Sequence, residues 1–149
     1  FTQAMAESLG LAASAMAKNT GGSLLITTSR RSADIEQTLI NSIQAQNEFF
    51  RWEDKQENPY LGYLACADVI IVTGESVSMC TEACASTVPV YLFAPPKLVT
   101  AKHQRFHKYL IDQGYAQYLS NVGEIEAGQH PILNSSFEIA DMIRSIMEW

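Results

Sequence analysis

The run from residue 68 to 93 constrains the fold more than any other part of the chain. It reads DVIIVT, then GES, then VSMCTEACAST, then VPVYLF. The outer segments are short, apolar and rich in β-branched residues, which predicts strands covered on both faces. The segment between them has Ser76 as a cap and no Pro or Gly before Pro89, which predicts a helix over residues 76–86. A strand, a crossover helix and a second strand place the two strands parallel.

The alternation extends along the chain. Residues 2–18 predict a helix with Met5, Leu9, Ala12, Ala13 and Met16 at helical spacing, stopped at Gly21 and Gly22. Residues 23–28 (SLLITT) predict a buried strand. Residues 33–46 predict a helix with Ile35, Leu39, Ile40 and Ile43 on one side, and 48–52 (EFFRW) a second strand. Asn58-Pro59 opens a short helix ending near residue 67. Further helices are predicted over 102–113, stopped by Gly114, and over 136–147, with an edge strand over 115–119 and a loop over 123–133. The expected fold is α/β: a single Rossmann-like domain over residues 1–149, built on a doubly wound parallel sheet.

Composition narrows the partners. Of 149 residues, 47% are hydrophobic and 17% charged, enough apolar material for a core and too little charge for a disordered chain. A net charge of −6 with no basic run argues against nucleic acid or an anionic membrane as partner. No apolar run approaches the ~20 residues of a membrane span. The first residue is Phe1, so an N-terminal lobe is expected to be missing from this chain. Cys66, Cys80 and Cys84 are odd in number and lack C-x-x-C spacing, which predicts small buried thiols in a reducing cytoplasm. No dinucleotide fingerprint, P-loop or nucleophile elbow is present, so no cofactor is expected.

In parallel sheets, ligands bind at the carboxyl ends of strands, beside helix N-termini. Three turns qualify. Ser29, Arg30, Arg31 and Ser32 offer hydroxyls and guanidiniums suited to a phosphate; equally, Ser32 caps a helix and the arginines are solvated. Ser76, Val77 and Ser78 open a helix whose first N–H groups lack partners, with Glu82 on the same helix as a carboxylate for a ribose diol; equally, they form a capped helix with a solvated Glu. His103 and His107 lie four apart on the next helix, as H-Q-R-F-H, without the Glu of a metalloprotease helix. They read as polar surface groups, and no metal is expected. Lys97, Lys102, Arg105 and Lys108 around them read as a solvated basic face.

The string ACADVIIVTGESVSMCTEACASTVPVYLFAP resembles the C-terminal signature of GT-B glycosyltransferases, including the bacterial lipid-II-forming N-acetylglucosaminyltransferases. Glu82 and Pro89 match in type and spacing, while Thr87 stands where that family has Gly. Over nearly the whole chain, GGSLLITTSRRS, NPYLGYLACADVIIVTGESVSMCTEA, PVYLF and KHQRFHKYL resemble bacterial relatives of the plant mitochondrial-fission proteins named for elongated mitochondria. The resemblance implies the C-terminal lobe of a GT-B architecture and a nucleotide diphosphate sugar as ligand. It implies that Glu82 binds ribose, that Ser76, Val77 and Ser78 approach the diphosphate, and that Ser29 and Arg30 hold it from the other side. It places His103, Gln104 and Glu75 near the donor sugar and Trp52 and Tyr60 where a base stacks. The alternative it carries is an inactive scaffold that recruits another protein. Glu75 and Thr87 favour that alternative. The implied location is cytoplasmic, with membrane contact only through the missing lobe.

Overall fold

The computed structural model describes residues 1–119 and 131–136. Helix and strand alternate: α1 (Gln3–Thr20), β1 (Leu24–Thr27), a 3-10 turn (Arg30–Ile35) running into α2 (Glu36–Ser42), β2 (Asn47–Phe50), α3 (Tyr60–Cys66), β3 (Ile70–Thr73), α4 (Val77–Cys84), β4 (Val90–Phe93), α5 (Ala101–Asp112) and β5 (Gln117–Tyr118). The pairs β1–β2, β3–β4 and β4–β5 are all parallel, with Ile70 opposite Val90 and Thr73 opposite Phe93. This is the α/β order of a Rossmann-like fold. Among the described residues the strands form two ladders, β1–β2 and β3–β4–β5, where the sequence predicts one sheet. Burial follows the division. Every residue of β4 is buried, while Leu25 in β1 is 41% exposed, so β1 is covered on only part of its surface.

Each ladder has its own core. Around β3 and β4, Ile70, Val72, Val90 and Leu92 pack with Cys80, Ala83 and Cys84 of α4 and Leu110 of α5. Around β1 and β2, Ala6, Ile35 and Leu39 pack with Leu9, Ile26, Ile43 and Phe49. Burying one such aliphatic side chain contributes about 1.5–3 kcal/mol. The ends of α1 follow local chemistry. Thr2 Oγ1 accepts from the Met5 N–H at 3.3 Å, and Gly21 closes the helix at φ +67°.

Several predicted details change. The buried stripe of α1 is Ala6, Gly10, Ala13, Ser14 and Ala17, while Met5, Leu9, Ala12 and Met16 are only partly buried. Small residues win there because α2 crosses close by. A Cβ on Gly10 would overlap Ser42 Oγ and meet Ser42 Cβ at 2.9 Å. The helix predicted over 33–46 splits into the 3-10 turn and α2. It ends at Ser42 because Ile43 turns extended and the Gln44 N–H donates to Ser14 Oγ at 2.8 Å, latching the chain to α1. Cys80 and Cys84 are buried as expected, but Cys66 is exposed, since α3 buries no residue. All but the first residue of the helix predicted over 136–147, and most of the loop over 123–133, lie outside the described residues.

Candidate functional site

The β3–α4 turn is the most developed of the three predicted turns. Ser76 caps α4, its Oγ accepting from the Met79 N–H at 3.4 Å, and its carbonyl accepts the Cys80 N–H. Val77 is 40% exposed and Ser78 is exposed, at first-turn positions whose N–H groups have no partner within the helix. Glu75 folds back onto its own strand. Its Oε1 accepts from Thr73 Oγ1 at 3.0 Å, and its Oε2 is buried with no hydrogen-bond partner. Beneath it, burial, Cys84 and Glu75 together push the Cys80 thiol up to about 12, so Cys80 is a neutral packing group.

The turn is gripped from α5. His107 is 0% exposed, and its Nε2–H donates to the Gly74 carbonyl at 2.8 Å. This corrects the reading of His107 as a polar surface group. A polar side chain is tolerated there because the bare Cα of Gly74 leaves room for the ring and the Gly74 carbonyl takes its proton. Gly74 is itself tied to β4, its N–H donating to the Phe93 carbonyl at 2.9 Å. His107 Nδ1 is buried and unpartnered, and burial holds the imidazole below its ordinary range despite the Gly74 bond. His103 stacks on His107 with ring centres 6.4 Å apart, and its Nδ1 lies 3.0 Å from Thr100 Oγ1 as part of the α5 cap. Gln104 is exposed.

Glu82 and Tyr60 are brought together. The Tyr60 hydroxyl donates to Glu82 Oε2 at 2.7 Å, joining α3 to α4, and Glu82 is exposed. Burial, then the bond to Glu82, raises the Tyr60 phenol, which therefore stays protonated. Asn58 Oδ1 accepts from the Tyr60 N–H at 3.0 Å, which fixes the start of α3.

The Ser29 turn is closed on itself. Ser29 Oγ accepts from the Arg31 N–H at 3.3 Å, and the Ser29 N–H donates to Ser32 Oγ at 3.0 Å. Arg30 and Arg31 are exposed. Behind them lies a network that the sequence reading missed. Thr28 Oγ1 donates to Glu36 Oε2 at 2.7 Å and accepts from the Trp52 N–H at 3.1 Å, while Arg51 Nε sits 3.5 Å from Glu36 Oε1. Trp52 itself is 51% exposed. Among the described residues no hydrogen bond or ion pair joins Ser29, Arg30 or Trp52 to the β3–α4 turn. Also missed is a groove of about 460 Å³ beside β2, lined by Glu48, Phe49, Phe50, Asp54, Lys55, Gln56 and Tyr63. The Tyr63 hydroxyl donates to Glu48 there, at 2.9 Å. Among the described residues no three His, Cys, Asp or Glu side chains converge as cation ligands, and no helix is long and apolar enough to cross a membrane.

The fold and the turn define an α/β protein with parallel strands and an open helix start at the end of β3. The comparisons give the particular group. The sequence profile described as Mitochondrial fission ELM1 matches residues 1–147, and the chain belongs to that family. It is 31% identical over 127 residues to "Mitochondrial fission protein ELM1" of Arabidopsis thaliana, covering 84% of this chain and 30% of that protein. It is 32% identical over 123 residues to an uncharacterized protein of Rickettsia prowazekii (strain Madrid E), covering 80% of this chain and 35% of that protein. The chain thus spans about a third of the length of these relatives. No solved structure matches it.

Proposed function

We propose that this chain is the nucleotide-sugar-binding half of a GT-B-like glycosyltransferase, whose acceptor side belongs to the remainder of a longer protein. The observation that carries the reading is the open start of α4. Val77 and Ser78 are exposed there, and on the same helix the exposed Glu82 is tied to Tyr60. The diphosphate sits on Ser76, Val77 and Ser78, with Ser29 and Arg30 closing from the other side. Glu82 takes the ribose diol, Trp52 and Tyr60 the base, and Glu75, His103 and Gln104 the sugar. Holding the leaving diphosphate in place supplies the rate, with no cofactor. The protein works in the cytoplasm, and any membrane contact belongs to the other lobe. Calorimetric titration of the full-length protein with UDP, UDP-GlcNAc and GDP tests this. Binding of one of them, weakened at least about tenfold by Glu82→Ala, is the expected result. The absence of heat with all three overturns it.

A second reading has its own observation. The Glu75 carboxylate, with a buried and unpartnered oxygen, places negative charge beside the helix start where a diphosphate would rest. On that reading the domain is an inactive scaffold that recruits another protein, and the relative it resembles in Arabidopsis is named for mitochondrial fission. A Glu82→Ala protein that leaves the cellular phenotype unchanged favours the scaffold.

A further inference from the structure

We propose that His107 is the positioning residue of the β3–α4 turn: neutral, it clamps the turn from α5, and protonated, it releases it. The inference rests on the reading of that turn as the ligand site. The clamp is visible in three observations. The ring is fully buried, it donates Nε2–H to the Gly74 carbonyl at 2.8 Å, and it fills the space that a Gly74 side chain would need. A Cβ on Gly74 would stand 2.5 Å from His107 Cε1. Ring and glycine therefore fit only each other, and the carbonyl they share belongs to the residue before Glu75 and Ser76. Where Gly74 points decides where the α4 cap and its free N–H groups lie.

The second nitrogen makes the clamp sensitive to acid. Nδ1 is buried with no partner, so a proton added there is an unmatched buried donor on a buried cation. Among the described residues the titratable groups around the ring are few. His103 stacks one turn earlier on α5, and its own charge opposes a second one on His107. Tyr118 on β5 meets the ring edge-on with centres 6.4 Å apart. Glu75 and Cys80 belong to the turn and to α4, and neither Glu75 Oε2 nor His107 Nδ1 has the other as a partner. On α5, Lys108 is paired with Asp112 at 2.8 Å.

The sign follows from linkage. The folded imidazole lies below its unfolded value of about 6.5, so above that pH both states are neutral and nothing is lost. As pH falls through about 6.5 the unfolded chain takes up a proton more readily than the folded chain, and the folding constant drops, by at most about tenfold between pH 7.5 and 5.5.

The test uses the full-length protein with His107→Gln, which keeps an N–H donor without titrating, and His107→Phe, which keeps a ring without the donor. Urea midpoints at pH 7.5 and 5.5, amide exchange over residues 74–80, and UDP affinity at pH 7.5 are measured. The expected result is an acid loss of at most about tenfold in wild type that is absent in His107→Gln. Exchange over 74–80 is expected to quicken in His107→Phe, with UDP binding weakened about tenfold there and kept within about threefold in His107→Gln. Should either variant fail to fold, the side-chain ¹⁵N shifts of wild-type His107 decide. A neutral Nε2–H ring persisting well below pH 6 supports the clamp, and ordinary titration overturns it. An acid loss that survives in His107→Gln also overturns it. If UDP does not bind at pH 7.5, the nucleotide reading fails, while the exchange, urea and ¹⁵N results still judge the clamp.

Discussion

Gly74→Ala is the perturbation that tests the core of the site most directly. The added Cβ meets His107 Cε1 at 2.5 Å, His107 Nε2 at 3.0 Å and Ala94 Cβ at 3.0 Å. None of these is the loose end of a flexible chain. The ring is buried, bonded to the same residue it would clash with, and packed between Phe106 and Tyr118. Overpacking of this kind costs about 1–3 kcal/mol, and losing the hydrogen bond to the Gly74 carbonyl adds about 1 kcal/mol. At about 4 °C per kcal/mol for a chain near this length, a loss of roughly 2–4 kcal/mol lowers Tm by roughly 8–16 °C. Calorimetric melting at pH 7.5 measures it, with Gly62→Ala as control. Gly62 lies inside α3 with nothing within 4 Å of its added Cβ, so that change raises helix propensity and is expected to leave Tm equal or higher. In a His107→Ala background the penalty of Gly74→Ala is expected to shrink, because the two groups share one space. A Gly74→Ala protein melting within about 2 °C of wild type refutes the packing argument.

Further expectations concern other parts of the molecule. Gly10→Ala pushes α1 off α2 at Ser42 and is expected to destabilise by about 2–3 kcal/mol in urea unfolding, with partial rescue by Ser42→Gly. In the native protein Cys66 is expected to react quickly with a thiol reagent, whereas Cys80 and Cys84, buried and pushed up to about 12 and about 11, react only on unfolding. Because those folded values lie above the unfolded ones, stability is lost as pH rises above about 8.5, and a Cys80→Ala, Cys84→Ala protein is expected to lose less between pH 8 and 10. Tyr60→Phe removes the bond to Glu82 and is expected to cost about 0.5–1 kcal/mol in thermal unfolding.

Much of the fold was legible because periodicity and punctuation are local. The β3 and β4 runs, the Ser76 cap, Gly21 and Gly114 each announce themselves within a few residues, and their elements lie where the pattern puts them. The α1 face was misread because Met5, Leu9 and Met16 carry the apolar signal, while the stripe that is buried is the one small enough for α2 to approach. The division of the strands into two ladders is a non-local pairing, and no segment records it.

The site divides in the same way. Sequence alone determined that a strand would deliver a capped helix start between residues 73 and 77, with Glu82 further along the same helix, since those relations follow from chain spacing. Only the tertiary structure decided that Tyr60 reaches Glu82 from α3, and that Glu75 turns back on Thr73. It also decided that His107, read from its helical spacing as a surface group, is buried against Gly74. The physical reason is separation along the chain. Residue 107 lies 33 positions from residue 74, and only the packing of α5 across the end of β3 brings the imidazole to a backbone position bare enough to receive it.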